Sequence, residues 1–132
     1  MFSKKLGTLI YVTDLMNHLA DIGAREEMRK LGEAGLSSGP HTGSMPQDIN
    51  SYIGHDIHRA QLFLEYVYVG NRVGANVNNG ILDSKVIFAT WTRKWWIDLW
   101  KRLQPFVQKE RERRKDPELY SEFELFIDRI KK

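Results

Sequence analysis

The chain has 132 residues, 42% of them hydrophobic and 28% charged, with a formal net charge of +3. That length suits one domain able to bury a core without metal or disulfide staples, and the composition argues against a disordered chain. The absence of cysteine excludes disulfides, thiolate zinc sites and cysteine nucleophiles, and no apolar run approaches the ~18 residues of a membrane span.

Lys4-Lys5 followed by Leu6 to Val12 resembles the start of a signal peptide, but Asp14 interrupts it and no cleavage site follows. A cytoplasmic setting is the expectation. Leu6, Leu9, Ile10, Val12, Leu15, Met16, Leu19 and Ile22 recur at three- and four-residue steps, which predicts an amphipathic helix over 3–22. Gly23 marks a bend, and a shorter polar helix follows over 24–33 around Met28 and Leu31. The breaker-rich stretch 35–46 reads as a flexible loop.

Asp48 opens the next helix, where Ile49, Ile53, Ile57, Ala60, Leu64 and Val67 form one face beside Phe63. Asn78-Asn79-Gly80 tolerates positive φ and provides its stop. Asp83 or Ser84 then caps a helix holding all four tryptophans, Trp91, Trp95, Trp96 and Trp100. With Phe88, Leu99 and Leu103 they cover an arc of roughly 180°, wider than the stripe of an ordinary surface helix. Pro105 ends or kinks that helix, and a polar helix continues to Lys115. Asp116-Pro117 predicts a restart, an N-cap followed by proline at the first helical position. Leu119, Phe123, Ile127 and Ile130 give the last helix its buried face. The expected class is all-α, a single antiparallel bundle of four to six helices forming one domain over 1–132.

Trp91, Trp95 and Leu99 are expected in the core. Trp96 and Trp100, farther round the wheel, either pack under the N-terminal helix or form the edge assigned to a protein partner or to self-association, including a homodimer, because tryptophan is enriched in binding hot spots. The chain then acts as a non-catalytic binding or regulatory module.

Two alternatives come from other residues. Between Arg93 and Lys115 there are nine Lys/Arg against three Asp/Glu, whereas 116–128 holds five acids and no base. Lys101, Arg102, Lys109, Arg111, Arg113, Arg114 and Lys115 could contact the phosphates of a nucleic acid. Glu110 and Glu112 interrupt the run, it lacks the aromatic interleaving of a single-strand platform, and the acidic last helix could neutralise it. His55 and His58 sit three residues apart and would share a helix face in a metal-dependent enzyme, with Asp56 or Glu65 assisting. Their spacing is not that of the zinc proteases, and further ligands would have to come from His18, His41 or a distant acid. There is no G-x-S-x-G elbow, and Gly70-Asn-Arg-Val-Gly74 lies inside a helical pattern, so it is no phosphate loop. No cofactor is implied.

Taken in order, Arg59, Phe63 and Glu65, then Gly80-Ile-Leu-Asp83, the run Trp100 to Val107 with Pro105-Phe106, Arg111, and Tyr120-Ser-Glu-Phe-Glu124 form a recognisable pattern. Over residues 56–126 the chain resembles a widespread family of small helical domains of unknown function, mainly bacterial and viral. Many members carry an N-terminal membrane helix, for which this sequence has no run of sufficient length. The resemblance implies a helical fold and no known reaction. Its matching residues suggest that Arg59, Glu65, Arg111 and Glu124 form one paired polar cluster where three helices meet beside Pro105, since buried charges must be paired.

Overall fold

The computed structural model describes residues 3–37 and 48–132. Seven helices and no strand occur among the described residues: α1 (Lys4–Asp21), α2 (Ala24–Ser37), α3 (Ile49–Ile53), α4 (Ile57–Asn78), α5 (Ser84–Thr90), α6 (Arg93–Arg114) and α7 (Ser121–Ile130). The expected loop at 35–46 lies outside the described residues from 38 onward, and 35–37 are the last turn of α2.

Most boundaries follow from local chemistry. Ser3 Oγ accepts from the Leu6 amide at 3.1 Å and opens α1, and Gly23 (φ 86°) turns the chain into α2. Asp48, Asp56, Asp83 and Thr92 each place a side-chain oxygen on an amide of the first turn that follows. α4 closes in a Schellman motif: Gly80 (φ 73°) donates to the Val77 carbonyl at 3.0 Å, and Ile81 donates to the Asn76 carbonyl at 2.8 Å.

Two breaks raise the number of helices above the expected four to six. The helix opened by Asp48 does not run through to Asn78. Gly54 adopts φ 55° and ψ −119°, and Asp56 starts a new helix with its cap on the Arg59 amide at 3.0 Å. Ile57, expected on the buried face, is therefore 75% exposed. The tryptophan helix is also divided. Trp91 is extended (φ −119°, ψ 101°), and Thr92 caps a new helix at the Trp95 amide, 3.2 Å away.

Pro105 does not end α6, which continues to Arg114. A proline inside a helix costs about 3 kcal/mol, and burial of Leu103, Phe106 and Val107 on both sides of it offsets that cost. Asp116-Pro117 makes a turn and not a helical restart. Asp116 Oδ1 accepts from the Glu118 amide at 3.0 Å, and α7 begins only after Tyr120, which is left-handed (φ 61°). α6 itself ends in a second Schellman motif, with Lys115 (φ 55°) where glycine is usual: the Lys115 amide donates to Glu112 and the Asp116 amide to Arg111.

α4 and α7 form the most extensive helix pair. A Cβ at Gly70 would lie 2.3 Å from the Phe123 ring, and one at Gly74 would lie 2.7 Å from the Glu122 carbonyl oxygen. Glycines one turn apart thus let the two backbones approach. The same α4 face supplies the hydrogen bonds that α7 lacks at its start. Tyr120 makes no side-chain cap, but Asn71 Oδ1 accepts from the Phe123 amide at 3.1 Å, and Asn78 Nδ2 donates to Glu122 Oε2 at 2.9 Å. Phe123 and Phe126, both buried, then meet α6 edge-on, Phe123 against Trp100 at 5.0 Å and Phe126 against Trp96 at 5.4 Å.

The seam predicts opposite outcomes for chemically identical substitutions. Gly70→Ala and Gly74→Ala each destabilise the chain by about 1–3 kcal/mol through overpacking. Gly7→Ala, where a Cβ meets nothing within 4 Å, stabilises it by roughly 0.5–1 kcal/mol. Denaturant titration of the three variants checks the signs. In the same assay Lys115→Gly raises stability by about 1 kcal/mol, because glycine removes the left-handed penalty at that cap.

Candidate binding groove

α6 has two working faces. Trp96, Leu99, Trp100, Leu103 and Val107 point into the core. Trp95, Asp98 and Arg102, at three- and four-residue steps, line one wall of a groove. Trp91, in the break before α6, adds a second half-buried indole to that wall. α1 contributes Met16 and α2 contributes Met28 opposite, and Tyr66 of α4 belongs to the same lining. The cavity measures about 560 Å³, within the range of roughly 300–1,000 Å³ typical of ligand sites.

Three arginines enter the groove, and their surroundings differ. Arg29 is held by Glu26 and Glu33 on its own helix. Arg25 and Arg102 have no ion-pair partner among the described residues. Arg102 is positioned by packing: its Nη1 lies 3.0 Å from where a Cβ would stand on Gly32, so the guanidinium rests against α2 at a residue without a side chain. Asp98, the acid on the wall, is bound by Lys94 at 2.6 Å, which holds its carboxyl below the ordinary value. Burial pushes the Tyr66 phenol above its ordinary pKa, with Arg25 opposing the shift, so the side chain keeps its proton at neutral pH.

The structure reverses the expected division of the tryptophans. Trp96 and Trp100, assigned to a partner surface, are 0% and 3% exposed and fill the core. Trp91 and Trp95, assigned to the core, pack against it with one side and open to the groove with the other. The reason is the break at 91–92: it removes Phe88 and Trp91 from the helical wheel of α6 and allows α6 to turn Trp96 toward Phe126. Thr92 was the available signal, a residue type that favours the N-cap position immediately before Arg93. Leu99 is buried as expected.

The expected polar cluster falls into three separate contacts. Arg111, 9% exposed, bonds to Glu124 at 3.0 Å and to the Leu119 carbonyl at 2.8 Å. Arg59 is directed elsewhere: it pairs with Glu27 at 3.2 Å, donates to the Tyr52 carbonyl at 3.1 Å and lies 4.3 Å from the centre of the Tyr52 ring. Tyr52 donates to the same Glu27 at 2.8 Å. Glu65 faces His18 at 3.6 Å.

The basic segment is partly internal to the fold. Besides Arg111, Arg113 bonds to Glu110 at 2.7 Å, and Arg114 lies 3.5 Å from the same carboxylate. Glu110 is pulled below its ordinary pKa, chiefly by the hydrogen bond from Arg113. Lys101, Arg102, Lys109 and Lys115 are exposed. Only Arg111 is neutralised by the acidic last helix; Arg113 and Arg114 pair within α6. His55 lies in the break before α4 and His58 in its first turn, so they do not share a helix face, and both are exposed. Among the described residues no group of three or more His, Asp or Glu side chains is arranged to hold a metal ion.

Residues 15–130 match the family described as Domain of unknown function (DUF4760), and the chain belongs to that family. The match extends beyond 56–126, covers the groove's lining apart from Thr13, and takes in the whole α4–α7 pair. No curated protein and no solved structure matches the chain. Among the described residues no helix is long and apolar enough to cross a membrane.

Because the polar contacts are separate, their energies are separable. A double-mutant cycle on Arg111 and Glu124 gives a coupling of about 1–2 kcal/mol, reduced from the buried-pair range by the exposure of Glu124. The equivalent cycle on Arg59 and Glu124 gives less than about 0.5 kcal/mol, as for residues without shared partners.

Proposed function

We propose that the chain is a non-catalytic binding module that docks an acidic, amphipathic helix of a protein partner in the groove between α1, α2 and α6. The observation that carries this reading is the pairing of two half-exposed tryptophans with two unpaired arginines on one concave surface. Tryptophan and arginine dominate binding hot spots because each combines large contact area with directional interactions. Two methionines opposite the indoles supply adaptable apolar surface. A groove walled by helices accommodates a further helix through side chains at i, i+3, i+4 and i+7. Arg25 and Arg102 favour acidic side chains on the polar edge of that helix. Nucleic acid is the weaker reading because three of the seven cations of 101–115 are already held by Glu110 and Glu124.

The test is affinity capture from the native host, with mass spectrometry of what is retained. Trp91→Ala and Trp95→Ala each weaken retention of an acidic protein by at least about tenfold, equivalent to 1.4 kcal/mol. Arg102→Glu abolishes it, and the melting temperature of each variant stays near that of the parent. Trp96→Ala acts differently and destabilises the fold by about 3–5 kcal/mol. Retention of the same partner by Trp91→Ala and Trp95→Ala, or a complex containing only nucleic acid, overturns the reading.

A further inference from the structure

Tyr66 is 4% exposed and lines the groove, yet its hydroxyl bonds to no described residue. The hydroxyl is not shut off from the open groove, so it is free to donate to a ligand there. Here the hydroxyl belongs to the same cavity as two guanidiniums without an ion-pair partner among the described residues, Arg25 and Arg102. Arg25 acts electrostatically on the phenol itself. Two guanidiniums and one neutral O–H donor share a lining with Trp91, Trp95, Met28 and Leu99, and with one carboxylate, Asp98, which Lys94 already holds. Tyr66, Arg25 and Arg102 can each donate, and with Asp98 engaged by Lys94 an acceptor carrying negative charge fits among them.

From this we infer that the Tyr66 end of the groove is a socket for an aryl anion: a carboxylate or phosphate attached to a flat apolar body, with the anion on Tyr66, Arg25 and Arg102 and the body against the two indoles. The inference rests on the binding-module reading of the same groove and names the chemistry of the anchor that enters it. A free metabolite could supply this chemistry, as could an acidic side chain beside an aromatic one on a docking helix. The two share the recognition and differ in affinity for small probes. Arg29, bound by Glu26 and Glu33, is the groove cation that does not take part.

Isothermal titration calorimetry of the full chain with 3-phenylpropionate, phenyl phosphate, 3-phenylpropionamide and inorganic phosphate tests the socket, with tryptophan fluorescence as a second readout. At least one of the two aryl anions binds and shifts the emission, with a Kd of roughly millimolar or tighter, as expected for so small a ligand. The neutral amide and inorganic phosphate each bind at least about tenfold more weakly. The preference between the two aryl anions identifies the anionic group, and a Kd in the micromolar range or tighter marks a free ligand, whereas millimolar binding marks the isolated anchor of a docking helix. Tyr66→Phe and Arg102→Gln each weaken aryl-anion binding about fivefold or more. Tyr66→Phe leaves the melting temperature unchanged, because the hydroxyl makes no bond to a described residue. Arg129→Gln, outside the groove, leaves aryl-anion binding unchanged. Equal binding of the amide, equal binding of inorganic phosphate, or full binding by Tyr66→Phe overturns the socket. If no aryl anion binds while Trp91→Ala still loses its protein partner, the socket fails and the docking reading stands. If aryl anions bind through Tyr66 while the partner is retained by Trp91→Ala, the docking reading fails instead.

Discussion

The close approach of α4 and α7 at Gly70 and Gly74 fixes the positions of the other core elements. A side chain at position 70 would leave Phe123 no room over the α4 backbone; its ring occupies the place of the missing Cβ. Dispersion is short-ranged, so this contact orders the layer above it. Phe123 and Phe126 stand on α4 and present their rings to α6, where Trp100 and Trp96 meet them edge-on, the geometry that aromatic quadrupoles favour. The rotation of α6 about its axis follows. With Trp96 and Trp100 turned inward, Trp95, Asp98 and Arg102 must face α1 and α2. The groove is thus a consequence of packing on the opposite side of the helix.

Hydrogen bonding supports the same seam. A helix that starts at a left-handed tyrosine without a capping side chain leaves its first amides unpaired, and burial beside α4 would make that costly. Asn71 and Asn78, on the face that carries the glycines, provide the acceptor and donor that α7 lacks. Arg111 and Glu124 tie the start of α7 to the last turn of α6 in the same way, and Arg111 also collects the Leu119 carbonyl of the intervening turn. The turn can therefore hold two non-glycine residues in left-handed conformation, Lys115 and Tyr120, because bonds made elsewhere compensate for their strain.

What could be read in the sequence was the existence of the helices and most of their caps, since three- and four-residue periodicity and the Ser/Asp cap preference are local. The breaks were harder. The apolar period continues from Ile53 through Gly54 to Ile57, and from Phe88 through Trp91 to Trp95, so periodicity alone joins what Gly54 and Thr92 divide. Joining the second pair shifted the wheel and assigned the tryptophans to the wrong sides. Gly70-Asn-Arg-Val-Gly74 is visible in the sequence only as two glycines inside a helical pattern. Its actual role depends on which residue α7 places opposite, a tertiary fact. The same holds for Arg59 and Glu65, whose partners Glu27 and His18 lie in helices that precede them by thirty residues or more.

The arginines of the chain are held in different ways. Arg113 and Arg114 find a carboxylate within one turn, and Arg29 finds two. Arg102 lies on α6 within a turn of Asp98, yet Lys94 holds that carboxylate. The Arg102 guanidinium is instead located sterically, against the bare backbone at Gly32. Positioning by packing keeps a charge fixed without neutralising it, whereas positioning by an ion pair does both. A neutral phenol and, on the same wall as Arg102, two indoles complete the surface. Cations fixed by packing and left without a carboxylate, beside aromatic rings that the core covers on one side only, are the observation on which the proposed docking site rests.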